Sequence, residues 1–195
     1  MGNWKNGLKH GHGYYFLANG DVYIGNFENG IYHGKGTYFT DQKATIYDGM
    51  WVNGRKEGEG DFLVGDREEY SGEWKDNLRH GKGKRTYPDG SIYKGNFVNG
   101  AQEGEGELQK PDGGWYLGNF ANNKFNGKGH LFEGDGSENY EGEFLNGEKH
   151  GIGITIDAYF NKEKAKWVNG EKVEVIAKYK KGEQPSIIKE DRGEM

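Results

Sequence analysis

The chain has 195 residues, of which 36 are glycine and only 3 proline, with 13 tyrosines, 10 phenylalanines and 5 tryptophans. It has no cysteine, which excludes disulfides and thiolate metal sites and favours a reducing, cytoplasmic compartment. With 26 basic against 31 acidic residues it lacks the basic stripe that nucleic acid needs, and acidic lipid is disfavoured for the same reason. No apolar run approaches the roughly 20 residues needed to span a bilayer as a helix, and no signal-peptide core is present, so the sequence reads as soluble.

From the N-terminus, Met1-Gly2 resembles the start of a myristoylation signal, but Asn6 stands where that signal wants Ser or Thr. Gly2 and Trp4 instead open a repeat in mid-phrase, without a leading tyrosine; either a sheet begins there or something else completes that edge. The full phrase first appears as Tyr23-Ile-Gly25-Asn-Phe27. It returns at Tyr47-Asp-Gly49-Met-Trp51, Tyr70-Ser-Gly72-Glu-Trp74, Tyr93-Lys-Gly95-Asn-Phe97, Tyr116-Leu-Gly118-Asn-Phe120 and Tyr140-Glu-Gly142-Glu-Phe144. Spacings of 24, 23, 23, 23 and 24 residues are those of a repeat array.

Within a repeat, alternation puts Tyr70, Gly72 and Trp74 on one strand face and Ser71 and Glu73 on the other. A second run follows as Gly-x-Gly, at 11/13, 34/36, 58/60, 81/83, 104/106, 127/129 and 151/153, its two glycines sharing a face. Such a glycine face lets aromatic rings lie flat across the neighbouring backbone. Asn-Gly between the two runs (6/7, 29/30, 53/54, 99/100, 146/147, 169/170) predicts a two-residue hairpin. In the two repeats that lack it, Asn77 and Asn123 take the glycine position. Repeats are joined by a second turn at Asn19-Gly20, Asp89-Gly90, Asp112-Gly113 and Asp135-Gly136.

The expected fold is therefore all-β, an elongated single-layer antiparallel meander of repeated hairpins. About 16 strands at roughly 4.8 Å spacing would make a ribbon on the order of 80 Å long. Past Gly153 the pattern weakens: Ile154 to Phe160 reads as strand, and residues 164–170 as a degenerate phrase. The expected organisation is an array over 1–170, a capping strand over 171–181 carrying Val173, Val175, Ala177 and Tyr179, and a disordered tail over 182–195.

These phrases resemble the MORN repeat (membrane occupation and recognition nexus): Tyr-x-Gly-x-Trp/Phe, Asn-Gly, Gly-x-Gly and Asp-Gly, best seen from Tyr70 to Ile92. The resemblance runs from residue 2 to about 170, as seven clear repeats and one degenerate one. It implies a non-catalytic scaffold or adaptor in a larger complex, such as a radial-spoke-like ciliary or other cytoskeletal assembly. Its partners would be proteins: a helix or peptide in a groove, or another β-array at a sheet edge. The alternative implied is a peripheral module binding anionic phospholipids.

No serine stands in a Gly-x-Ser-x-Gly elbow, and no nucleophile, base and orienter set is legible, so no catalytic residues are expected. His10, His33, His80 and His150 each precede the first glycine of a Gly-x-Gly and read as a repeat position; His10 and His12 would supply only two metal ligands, so no metal is expected. No helix follows the Gly-x-Gly copies, which argues against phosphate loops and leaves no cofactor implied. Two residues beyond Gly-x-Gly, Tyr38, Phe62, Arg85, Leu108 and Leu131 form the candidate partner groove. Arg85, alone among them in charge, would stack on a ring or meet a partner's carboxylate. Charge is uneven: Tyr47 to Glu69 carries 3 basic and 7 acidic residues, Tyr70 to Ile92 carries 5 and 3. Lys75, Arg79, Lys82 and Lys84 form the candidate basic stripe.

Overall fold

The computed structural model describes residues 1–40, 44–65, 68–182 and 186–187. Among these there is no helix, and so none long and apolar enough to cross a membrane. Contacts divide the chain into two compact units, Met1–Gln102 and Glu103–Met195. The first holds β1 (Gly2–Lys5), β2 (Leu8–Phe16), β3 (Val22–Glu28), β4 (Ile31–Thr40), β5 (Thr45–Val52), β6 (Arg55–Val64), β7 (Glu68–Lys75), β8 (Leu78–Thr86) and β9 (Ile92–Val98). The second holds most of β10 (Ala101–Gln109), with β11 (Trp115–Ala121), β12 (Lys124–Phe132), β13 (Asn139–Leu145), β14 (Glu148–Ile156), β15 (Lys162–Val168), β16 (Glu171–Tyr179) and β17 (Ser186–Ile187). Within each unit every strand pairs antiparallel with its sequence neighbours, an open meander.

The hairpins follow from backbone chemistry. Asn29 and Gly30 have φ of 51° and 84°, and Asp76 and Asn77 have 49° and 69°. Two successive positive φ values make the primed turn whose twist matches that of the strands it joins, and Asn and Gly are the residues that adopt it most cheaply. The turns between repeats close differently. The Asp89 carboxylate accepts the Ser91 amide at 2.8 Å, and Gly90 donates to the Tyr87 carbonyl at 2.9 Å. Asp112 and Asp135 hold their turns the same way, through Gly114 and Ser137.

The two glycines of Gly-x-Gly do different work. Gly83 pairs with the head glycine Gly72, but the next pair is Trp74 with Arg79, so His80, Gly81 and Lys82 together oppose Glu73. Gly81 sits at φ 58°, the left-handed region, and the Glu73 carboxylate accepts the Lys82 amide at 2.8 Å. The first glycine thus makes a bulge, where a β-carbon would be strained. The second receives a ring. A β-carbon on Gly60 would stand 2.5 Å from Tyr47 Oη and 2.7 to 2.8 Å from its ring carbons. Strand alternation predicts two glycines facing one way, which holds towards the following strand, where Gly58 opposes Trp74 and Gly60 opposes Gly72. Within the hairpin the bulge supersedes it.

Six tyrosines, 23, 47, 70, 93, 116 and 140, are with Phe97 the most deeply buried large side chains among the described residues, each at most 1% exposed. Each donates its hydroxyl to the carbonyl three residues on, at 2.8 to 3.1 Å, so burial leaves no phenol unpaired. Each ring also meets phenylalanine or tryptophan edge-on: Tyr47 touches Trp51 at 5.1 Å and Trp74 at 5.3 Å between centroids. This is the core of a single-layer sheet, and burying such a ring is worth roughly 2–3 kcal/mol.

The C-terminal end differs from expectation in two places. Residues 157–160, predicted as strand, form a turn in which Asp157 accepts the Tyr159 and Asn161 amides, and Phe160 adopts φ 67°. Where the tail was expected to be unstructured, Ser186–Ile187 pair with Lys178 and Ala177 of β16; the rest of 183–195 lies outside the described residues.

Candidate docking surfaces

The sheet has two unlike faces. One, the tyrosine face, carries the buried rings. On the other, cross-strand pairs line up residues that the phrase leaves variable.

The groove residues lie on the tyrosine face, each paired with core tyrosines. In the first unit Tyr38 sits opposite Tyr23 and Tyr47, Phe62 opposite Tyr47 and Tyr70, and Arg85 opposite Tyr70 and Tyr93. All three are half-buried and engaged within the chain. Tyr38 donates to the Asp21 carboxylate at 2.7 Å; burial first, then that bond, pushes its hydroxyl up to about 12. The Lys56 ammonium lies 4.4 Å from the Phe62 centroid. Arg85 does both things weighed for it, but within the chain: its guanidinium donates to Glu68 at 2.6 and 3.0 Å and lies 4.2 Å over the Tyr87 ring. In the second unit Leu108 is half-buried opposite Tyr116, while Leu131, between Tyr116 and Tyr140, is only 8% exposed and belongs to the core.

The basic stripe divides between faces. Lys82 and Lys84 are exposed on the face opposite the tyrosines, Lys84 beside Ser71, and Lys75 is exposed opposite Leu78. Arg79 pairs with Trp74 on the tyrosine face, 3.5 Å from Glu68. Burial, then the charge of Arg85, lowers its pKa, and Glu68 works the other way. One cation of the four is therefore withdrawn from any shared surface. Of the histidines, His33 lies 3.4 Å from Glu28, His150 accepts the Asn169 amide at 3.4 Å, and the bulge at Gly11 stands between His10 and His12. Among the described residues no three His, Asp or Glu side chains gather as metal ligands.

A surface the sequence reading did not single out lies on the opposite face of the first unit. Phe16 pairs with Val22, Val22 with Phe39, Phe39 with Ile46 and Ile46 with Leu63, an apolar row crossing five strands. Phe16 is 70% exposed and the others are partly exposed. Asp48 and Asp61, a like-charged cross-strand pair, border it directly, and Glu59 opposite Glu73 lies a further two residues along the strands on the same face. Among the described residues none of these four joins an ion pair. The signal available was positional: residues one before each tyrosine and one after each groove position share this face.

The chain resembles several solved structures only distantly. The TCP domain of Drosophila melanogaster SAS-4 (dCPAP), solved with a proline-rich motif of Ana2, is 12% identical over 79% of this chain and 70% of that one, with a TM-score of 0.37. The TCP10 domain of Danio rerio CPAP gives 13% identity, 86% and 88% coverage and a TM-score of 0.38 as a mutant, and 13%, 86%, 83% and 0.35 with a STIL peptide. At those scores the likeness carries no inference about this chain. No curated protein matches it. The MORN repeat, by contrast, matches residues 1–22, 23–42, 47–63, 70–92, 93–115, 116–137 and 140–158, and these are the hairpin-and-bulge segments described above. The chain belongs to the MORN-repeat family.

Proposed function

We propose that this chain is a non-catalytic scaffold that docks other proteins on the faces of its sheet. The observation that carries the reading is the apolar row from Phe16 to Leu63, exposed along the strands of the first unit. Contiguous apolar surface of this kind marks an interaction site rather than a solvated face. Like charges placed directly opposite each other cost stability, so Asp48 and Asp61 beside the row would be relieved by a partner with cationic side chains beside an apolar ridge. The tyrosine-face row of Tyr38, Phe62 and Arg85, and in the second unit Leu108 with Leu131, is the other surface of the proposal, for a helix or peptide. A cytoskeletal or ciliary assembly is the setting carried over from the family.

The test is affinity purification of the tagged chain from its native cells, in parallel with Phe39→Lys and Leu63→Lys variants shown by circular dichroism to be folded. Loss of the same accompanying proteins from both variants supports the outer-face scaffold. Retention of all of them by both would refute it, and Phe62→Asp then tests the tyrosine face. Binding to anionic vesicles that weakens with salt would move the reading to a membrane module.

A further inference from the structure

Two surfaces on the face opposite the tyrosines are built alike but carry opposite charge. The first is the stretch of the apolar row formed by Phe39, Ile46 and Leu63, which runs across β4, β5 and β6. Asp48 and Asp61, two residues along β5 and β6 on the same face, stand exposed beside it.

The second lies in the other unit, on β14 and β15. Ile152, Ile154 and Ile156 alternate along β14 with Gly153 and Thr155, and Thr155 is opposite Tyr140, so the three isoleucines share the face away from the tyrosines. Across from them on β15 stand Lys166, Lys164 and Lys162. Ile152 is 39% exposed, Ile154 and Ile156 are partly exposed, and Lys162 and Lys166 are exposed. Glu174 of β16 lies on the far side of Lys166, but Ala177 and Tyr179 lie on the far side of Lys164 and Lys162. These two lysines therefore have only uncharged residues directly opposite, and among the described residues neither joins an ion pair.

We propose that these two surfaces dock on each other between copies of this chain, the apolar row of one copy against the isoleucine ridge of the next. The proposal rests on the reading of the row as a docking face, and it names the occupant. Charge complementarity and spacing carry it. On the first surface the apolar line runs across strands, with the acidic line ~6.7 Å to one side, the distance between alternate residues of a strand. On the second the apolar line runs along a strand, with the basic line ~4.8 Å to one side, the distance between neighbouring strands. Two sheets stacked with their strands crossing at near right angles, one of the two usual packings, make these lines parallel. The isoleucines then lie on Phe39, Ile46 and Leu63, while Lys162 and Lys164 reach Asp48 and Asp61, their flexible stems taking up the difference in offset. Glu141, opposite Ile154 on β13, falls on the side of the ridge away from the aspartates.

Docking relieves the repulsion between Asp48 and Asp61 by giving each a cation. Neither surface complements itself, since the charge beside each apolar line has one sign, so the contact is heterologous. Each copy offers one surface of each kind, and such a contact adds copies until a ring closes or a filament grows.

The test is sedimentation velocity of the purified full chain between about 1 and 200 μM, the range in which a small interface would assemble. The expected result is an average mass that grows with concentration and falls towards that of one chain as salt is raised. Phe39→Lys and Ile154→Lys, each shown by circular dichroism to be folded, should each weaken self-association at least about thirty-fold, the loss of a central anchor. Mixed in equal amounts they should form a dimer and nothing larger, because one variant keeps the isoleucine ridge and the other keeps the apolar row. A single-chain mass for the unaltered protein over the whole range, undiminished association of either variant, or no dimer in the mixture each overturns the proposal. The scaffold reading stands or falls separately, on whether Phe39→Lys and Leu63→Lys lose the proteins that accompany the chain from its native cells.

Discussion

Replacing Gly60 by alanine isolates the ring-over-glycine contact from every other reason a glycine is used. Gly60 lies outside the left-handed region, so the substitution brings no backbone strain, only the β-carbon. That carbon would stand 2.5 Å from Tyr47 Oη, and the ring cannot slide, being 1% exposed between Trp51 and Trp74. Overpacking of this kind costs about 1–3 kcal/mol. Displacing the hydroxyl from its 3.0 Å bond to the Met50 carbonyl adds about 1 kcal/mol. The expected loss is therefore about 2–4 kcal/mol. Gly7→Ala is the control: φ is 76° and nothing lies within 4 Å of the added carbon, so only the left-handed penalty of about 1 kcal/mol applies. Urea unfolding followed by circular dichroism measures both, with amide exchange in β5 and β6 to localise the loss. Because Tyr47→Ala vacates the space, the double variant should be less destabilised than the sum of the single ones by at least about 1 kcal/mol. A Gly60→Ala loss no greater than that of Gly7→Ala, or an additive double variant, would refute the assignment.

Three further outcomes follow. Glu68→Ala leaves the partly buried Arg79 and Arg85 guanidinium groups facing each other without their shared carboxylate, and should cost about 2–4 kcal/mol in the same unfolding assay, more than removing the exposed partner Asp76 of Arg55. Lys56 has its pKa lowered to about 8, by burial first and by Arg79 second. Between about pH 8 and 10.5 the unfolded chain holds that proton and the folded chain does not, so stability should rise with pH across this window. Lys56→Met should raise the melting temperature at pH 7 and flatten the rise, whereas an unchanged slope would refute the assignment to Lys56. Asn53→Ala places an alanine at φ 50° in the turn before Gly54 and should cost about 1 kcal/mol by thermal melting; a neutral result would mean the turn changes type.

What the sequence determined by itself is what a few adjacent residues can dictate. Asn-Gly needs nothing distant to make a primed turn, so the hairpin inside each repeat was legible, including those where Asn77 and Asn123 stand in for glycine at φ 69° and 64°. The tyrosine period likewise marked the core, since six equivalent rings must lie on one face of alternating strands. Tertiary structure decided whatever depends on which strand lies opposite. Gly81 and Gly83 look alike in the chain; only cross-strand register makes one a bulge and the other the floor beneath a ring. Arg79 reads as a neighbour of Lys82 and Lys84 until pairing with Trp74 turns it to the other face, and Leu131 reads like Leu108 until its neighbouring strands bury it. The row from Phe16 to Leu63 was hidden for the same reason. Side chains 6 to 17 residues apart along that row become neighbours only through hydrogen bonding across strands, and no local pattern records what will lie across the sheet.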